Sequence, residues 1–287
     1  GEKKPSRAQF EEARLRLTLR YQSLIRHDFL PRILHPCVLP VLEKGAPDAW
    51  FPVVPGARFD IPVEFAAAAF RFGHSMVRDT YMLAGTPFSL RDLLRATGEN
   101  MPGAHNRHIR LDWSELFELD GGRLPMMARS ISPRLAGALR NLDHRPMTGA
   151  TNLVTRNLQR GVELQLPSAQ RVLEHIAATR PDYAVRYGMR PLCPETLLQH
   201  GMFRFNRSLE DHGLHRETPL WTYLLLEPHF NEPRHGETVV RESLGWLGSM
   251  IVAEVFRALL LISRVSILDH EVGEVTIEDI VRLAKQE

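Results

Sequence analysis

The run Glu64-Phe65-Ala66-Ala67-Ala68-Ala69-Phe70-Arg71-Phe72-Gly73-His74-Ser75-Met76 is the stretch of this sequence whose residue types and spacing could do chemistry. On a helix, Arg71 and His74 share one face, because positions three apart are neighbours. The alanines and Gly73 keep the surface around the imidazole low, so something bulky can approach it closely. Such a face suits a flat macrocycle carrying a metal. Imidazole is a common metal ligand, and a guanidinium forks onto a carboxylate at the ring's edge. The same residues admit a second reading, in which His74 is a core histidine satisfied by a backbone carbonyl.

The elements that must position these residues are helical almost throughout. Ala8 to Phe29 mixes Leu15, Leu17, Leu19, Leu24 and Ile25 with Glu11, Glu12, Arg14, Arg16 and Arg20, an amphipathic helix that should stop before Pro31. Prolines at 36, 40, 47, 52, 55 and 62 make residues 36 to 62 an irregular connection with room for a short strand or two. Pro62 opens a helix, and Val63 to Leu83 runs on without another proline, predicting one helix over that span. Further helices are predicted over Ser89 to Ala96, over Asn152 to Arg160 ending at Gly161, from Pro167-Ser168 onward with Val172, Leu173 and Ile176, around Pro219 to Leu226, and from about Val239 to Ser263. Thr276-Ile277-Glu278-Asp279 has the form of a capping box before a last short helix. No repeat or clear linker interrupts the pattern, so a single mainly α domain is expected.

Composition excludes several classes of function. The chain of 287 residues is 44% hydrophobic and 24% charged, the balance of a globular protein. Lysine plus arginine number 36 against 34 acidic residues, a net charge of +2, so nothing electrostatic points to nucleic acid. The longest apolar stretch, Trp246 to Ser263, contains Glu254 and Arg257, which makes it a core helix and not a membrane span. Cys37 and Cys193 lack metal-ligand spacing and cannot form a disulfide framework, though they leave a single bridge open. Gly1-Glu2-Lys3-Lys4-Pro5 does not read as a signal peptide.

Phe70-Arg71-Phe72-Gly73-His74 resembles the proximal-histidine motif of the animal haem peroxidase superfamily, the myeloperoxidase-like group with many bacterial members. A second segment, Thr155-Arg156-Asn157-Leu158-Gln159-Arg160-Gly161 followed by Leu166-Pro167-Ser168, resembles the family stretch that supplies an asparagine to that histidine. Asp28-Phe29-Leu30-Pro31, Ile251 to Phe256 and Thr276 to Val281 are similar to bacterial members as well, so the resemblance spans nearly the whole chain. It implies a mainly α, haem peroxidase-like domain over residues 1 to 287, the proximal half of that fold. It implies that His74 Nε2 binds haem iron while its Nδ1–H donates to the Asn157 side-chain carbonyl, which orients the ring. It also implies that Arg71 and Arg160 pair with haem carboxylates, with Gly73 leaving the histidine's flank clear. Read from the residues alone, Asn157 serves equally as a helix cap and Arg160 as a solvated surface charge.

The activity implied is oxidation of a small organic or halide reductant by hydrogen peroxide. In the family's cyclooxygenase branch a radical-forming tyrosine stands three residues before the histidine; here that position is Arg71, which favours peroxidase chemistry, with Tyr81 the nearest tyrosine in sequence. The family's distal histidine and arginine, which move the peroxide proton and stabilise developing charge, lie N-terminal to the stretch matching Ala8 to Pro31. Catalytic residues are therefore not identifiable in this sequence, and a second polypeptide carrying the distal half is expected. His27, His105, His108, His212 and His215 read as surface or packing residues, and His105 with His108 lacks a third ligand for zinc. Two other readings stand beside the peroxidase: a non-catalytic haem-binding or scaffold protein, and a fatty-acid dioxygenase-like haem enzyme.

Overall fold

The computed structural model describes residues 5–46, 50–51, 53, 58–98, 112–119, 124–142, 150–189, 191–199, 210–230 and 242–285. Ser6 opens the first helix, α1 (Arg7–Ser23), with a capping box: its backbone N–H donates to Gln9 Oε1 at 2.8 Å and its hydroxyl accepts from the Gln9 N–H at 3.3 Å. A π-helical turn, Leu24–Phe29, joins α1 to α2 (Leu30–Ile33). The helical path thus passes through Pro31 where the sequence reading ended it. The Leu30 N–H reaches back five residues to the Ile25 carbonyl, and Pro31 falls in the first turn of α2, where a missing donor costs little. A 3-10 segment, Pro36–Leu42, follows, and no strand lies among the described residues of 36 to 62.

The predicted helix over Val63 to Leu83 is broken into four pieces. It begins as α3 (Val63–Ala67), bends at Ala68 (φ −128°, ψ −70°), continues as a 3-10 turn over Ala69–Arg71 and then as α4 (Gly73–Met76), and ends in β1 (Thr80–Leu83). β1 pairs antiparallel with β2 (Thr86–Ser89), Thr80 opposite Ser89 and Leu83 opposite Thr86. Tertiary packing overrides helix propensity at the bend, where Ala68 and Ala69 are fully buried and Phe65 stacks on Phe70 at 4.7 Å with Phe256 beside both. The hairpin turns through Ala84 and Gly85, both with positive φ (48° and 75°). Their two backbone N–H groups donate to the buried Glu115 carboxylate at 2.7 and 3.1 Å, which holds a turn that alanine alone would resist.

The later helices are α5 (Leu90–Gly98), α6 (Gly137–Arg140), α7 (Leu153–Glu163), α8 (Ala169–Thr179), α9 (Asp182–Arg186), α10 (Pro194–Gln199), α11 (Leu220–Leu226), α12 (Trp246–Ile262) and α13 (Ile277–Lys285). Caps at Asn152, Ser168 and Thr276 set three starts where the sequence places them. α7 does not end at Gly161. It runs to Glu163 and closes with Gln165 at φ 52°, the Leu166 N–H donating to the Gly161 carbonyl and the Gln165 N–H to Val162. α12 starts at Trp246, later than the Val239 expected, because Glu242–Gly245 is non-helical; residues 239–241 lie outside the described residues.

α12 is the spine of the core, buried on nearly every side and packed against Pro36–Leu42, α3 and Ala69–Arg71. Each of its two charged side chains has a hydrogen-bond partner, while Glu254 Oε2 and Arg257 Nε are buried without one among the described residues. Glu254 accepts from the Tyr183 hydroxyl at 2.5 Å, and Arg257 donates to the Ala46 carbonyl at 2.8 Å. Among the described residues no helix is long and apolar enough to cross a membrane. No disulfide joins Cys37 and Cys193.

The N-terminus of α12 is capped from a distance. Gly245 offers no side chain to cap it, and the Glu227 carboxylate, supplied by the segment after α11, accepts from the Leu247 N–H at 2.9 Å and the Gly248 N–H at 3.3 Å. A Cβ at position 245 would lie 2.1 Å from Glu227 Cγ, so the glycine is what admits the carboxylate. Burial pushes the Glu227 carboxyl up to about 7, against the downward pull of the two backbone donors. A carboxyl that binds its proton more tightly in the native state contributes stability that is greatest at low pH and declines as pH rises from about 4.5 to about 7. Glu227→Gln is therefore expected to flatten a decline on the order of 2–3 kcal/mol across that window, read from urea unfolding at a series of pH values. Parallel pH profiles for the two proteins would refute it.

Candidate functional site

The broken helix and α7 bring three sequence-distant polar groups together. Arg71 lies in the 3-10 turn, His74 opens α4 one residue after Gly73, and Asn157 sits mid-way along α7 with 1% of its surface exposed. Asn157 reaches both of the others. Its carbonyl oxygen Oδ1 accepts from the Arg71 guanidinium at 3.0 Å, and its amide Nδ2 lies 3.2 Å from His74 Nδ1. Arg71 is held further by donating its Nε–H to the Ala66 carbonyl at 3.1 Å, a carbonyl released by the bend at Ala68.

The orientation of the Asn157 amide follows from chemistry. A guanidinium has donors and no acceptors, so the atom facing Arg71 must be Oδ1, and the NH2 group is left to face His74. Asn157 Nδ2–H therefore donates to His74 Nδ1, the reverse of the arrangement the resemblance implies. In this tautomer the imidazole proton sits on Nε2. Among the described residues no hydrogen bond reaches Nε2.

Electrostatics keep the ring neutral. Burial first, and the Arg71 charge second, hold the His74 imidazole below its ordinary 6.5. Arg71 is itself pressed below its ordinary value, by burial and then by the nearby positive charge of Arg160. Arg71 has no carboxylate partner among the described residues, whereas Arg160, one helical turn beyond Asn157 on α7, pairs with Glu163 at 3.3 Å on the surface. Two guanidiniums in Coulombic range of one another, one without an acid, make a place suited to an anion.

The surface around His74 is open on one flank. A Cβ at Gly73 would meet no atom within 4 Å. Ser75 is buried below, its hydroxyl donating to the Phe72 carbonyl at 2.8 Å and accepting from the Ser132 N–H at 3.4 Å, which ties α4 to the 124–142 segment. A flat metal macrocycle fits this set: a neutral imidazole with Nε2 outside the protein's hydrogen bonds, a bare glycine beside it, and a guanidinium lacking an acid. Among the described residues no three His, Cys, Asp or Glu side chains converge to hold a metal ion.

The remaining candidates fall elsewhere. His27 lies 3.9 Å from Glu274, with its imidazole lowered mainly by burial. His215 is buried and its carbonyl accepts from Gln170 at 3.3 Å, while His212 is exposed. His105 and His108 lie outside the described residues. Tyr81 is on β1, where its hydroxyl accepts from the Arg78 N–H at 3.0 Å. Sequence reasoning missed the Arg71–Asn157 bond. The only signal for it was the bend, and nothing in four consecutive alanines announces one.

Residues 5–184, well over half of the chain, match the animal haem peroxidase family, and the chain belongs to that family. The matched residues contain Arg71, Gly73, His74, Asn157 and Arg160; the stretches Ile251 to Phe256 and Thr276 to Val281 lie beyond them. No curated protein matches it.

Among the described residues Asn157 alone serves Arg71 and His74 at once, so Asn157→Leu leaves a half-buried guanidinium and a half-buried ring nitrogen without their shared partner. The expected loss of unfolding free energy is about 2 kcal/mol, measured by urea unfolding of the metal-free protein. A loss below about 0.5 kcal/mol would mean the amide bridge contributes nothing to the fold.

Proposed function

We propose that this chain is the proximal half of a haem-dependent peroxidase, in which His74 Nε2 ligates the iron, Asn157 orients the imidazole, and Arg71 with Arg160 holds the haem carboxylates. The observation that carries the reading is the convergence of His74 and Arg71 on the one buried amide of Asn157, across 83 and 86 residues of sequence. When bound, haem supplies the reduction of hydrogen peroxide and the oxidation of a small organic or halide donor. The chain's own contribution is ligation and polarity. Burial and Arg71 keep His74 neutral and so able to offer a lone pair to metal at ordinary pH. The guanidinium of Arg71 neutralises a carboxylate at the ring's edge, and Gly73 lets the ring approach the α4 backbone.

Proton transfer to peroxide requires a distal imidazole and guanidinium, which this reading assigns to a second polypeptide. Supporting it, Ile61, Val63 and Phe70, which precede Arg71 in the chain, are exposed at 49%, 44% and 44% of their surfaces, apolar side chains suited to cover by other protein.

Two measurements test the proposal. Wild-type protein titrated with haem should bind one equivalent with the absorption spectrum of a histidine ligand. His74→Ala should abolish stoichiometric binding or weaken it by at least about a hundred-fold, since the protein's bond to iron is lost. An unchanged spectrum in that variant rules out His74. Turnover of an aromatic donor with peroxide should rise by about a hundred-fold or more when a polypeptide bearing the distal histidine and arginine is added. Full turnover by this chain alone would refute the partner assignment, and haem binding without turnover in either case would mark a non-catalytic haem protein.

A further inference from the structure

A second histidine with a chemically active neighbour lies outside the Asn157 site. His35 caps the 3-10 segment Pro36–Leu42 with its own ring, Nδ1 accepting from the Cys37 backbone N–H at 3.3 Å. The Cys37 thiol reaches the same nitrogen, with Sγ 2.7 Å from Nδ1. A backbone N–H can only donate, so Nδ1 presents its lone pair to this turn, and the thiol proton points at that lone pair. A nucleophile and a base thus stand within hydrogen-bond reach of each other.

The pair is held by the core helix. The His35 N–H donates to the Ser249 hydroxyl on α12 at 2.7 Å, and the Ile33 carbonyl accepts from the Leu244 N–H, just ahead of α12, at 2.8 Å. The Val38 N–H closes the turn on the His35 carbonyl at 2.9 Å. Leu34 and Val38 are buried on either side, which leaves imidazole and thiol projecting from a fixed backbone. Cys37 packs against the core yet stays partly exposed, so a molecule as small as a peroxide has access to its sulfur.

The other cysteine supplies the contrast. Cys193 is the more exposed of the two, but its sulfur lies 2.9 Å from the Thr196 hydroxyl, which does not accept a proton at ordinary pH. Exposure alone would make Cys193 the faster thiol. A neighbouring base reverses that order, because the thiolate and not the thiol is the nucleophile.

We propose that Cys37 is a peroxide-reactive thiol activated by His35, a modification site separate from haem ligation. His35 Nδ1 takes the thiol proton and the thiolate attacks one oxygen of hydrogen peroxide. An S–O bond forms as the O–O bond breaks, and the departing hydroxide takes the proton back from the imidazolium and leaves as water. Sulfur is oxidised by two electrons to the sulfenic acid, and the peroxide is reduced by the same two. The step needs no metal and stands whether or not haem binds.

The test uses the metal-free protein at neutral pH. Hydrogen peroxide is added with a dimedone-type probe that captures sulfenic acid, and labelling at each cysteine is followed by peptide mass spectrometry. Cys37 should be labelled faster than Cys193 by roughly tenfold, since a thiol without a base is only slightly ionised at that pH. His35→Asn removes the base while keeping a side chain that caps the segment, and it should bring Cys37 down to the Cys193 rate. Alkylation by iodoacetamide, which reads the thiolate with no oxidation step, should show the same order and the same loss. Cys193 reacting as fast as Cys37, or Cys37 undiminished in His35→Asn, overturns the proposal. If that variant fails to fold, the comparison of the two cysteines in the unaltered protein decides by itself.

Discussion

One carboxamide governs the site. Asn157 has a single carbonyl and a single NH2 group to distribute between two neighbours, and because Arg71 can only donate, the choice is made for it. Asn157 is 1% exposed and the ring is half-buried, so each bond acts in a low dielectric where an unmade one is costly.

The supporting structure explains why this convergence needs a broken helix. In a continuous helix the Ala66 carbonyl would accept from Phe70, and Arg71 would lack its second acceptor. The bend at Ala68 frees that carbonyl for the Arg71 Nε–H, and the aromatic contact of Phe65, Phe70 and Phe256 fixes the bend against α12. α12 in turn depends on Glu227, a carboxylate from another segment, to start its ladder. The site is thus supported by long-range contacts and not by the propensities of its own residues.

That dependence sets what could be read from the sequence. The mainly helical class, the starts at Ser168 and Thr276, and the buried faces of α8 and α12 follow from periodicity and capping chemistry, which are local. So does the grouping of Arg71, Gly73 and His74, which are adjacent in the chain. The passage through Pro31, the Ala84-Gly85 hairpin and the end of α7 at Gln165 were not legible. Each is decided by something remote or unusual: a π turn upstream, a buried Glu115 beneath the turn, and a left-handed glutamine in place of glycine. Here the Asn157 amide faces His74 with its NH2 group because Arg71, for which the resemblance implies haem carboxylates as partners, takes the amide oxygen.

The π turn at Leu24–Phe29 bears on the order in which the molecule assembles. Asp28, buried at its heart, accepts from Arg32 at 2.5 Å and from the Ile277 N–H at 2.9 Å, a partner 249 residues away. Gln22 and Ser23 likewise find their partners at Val265, Ile267 and Gly273, and Leu19 packs with Leu260 and Ile267. The helix Arg7–Ser23 is therefore satisfied late, its polar groups waiting for residues some 240 positions downstream. Contacts of such high sequence separation slow folding, and until they close, Leu19, Gln22 and Ser23 on this helix lack the partners they have in the folded chain.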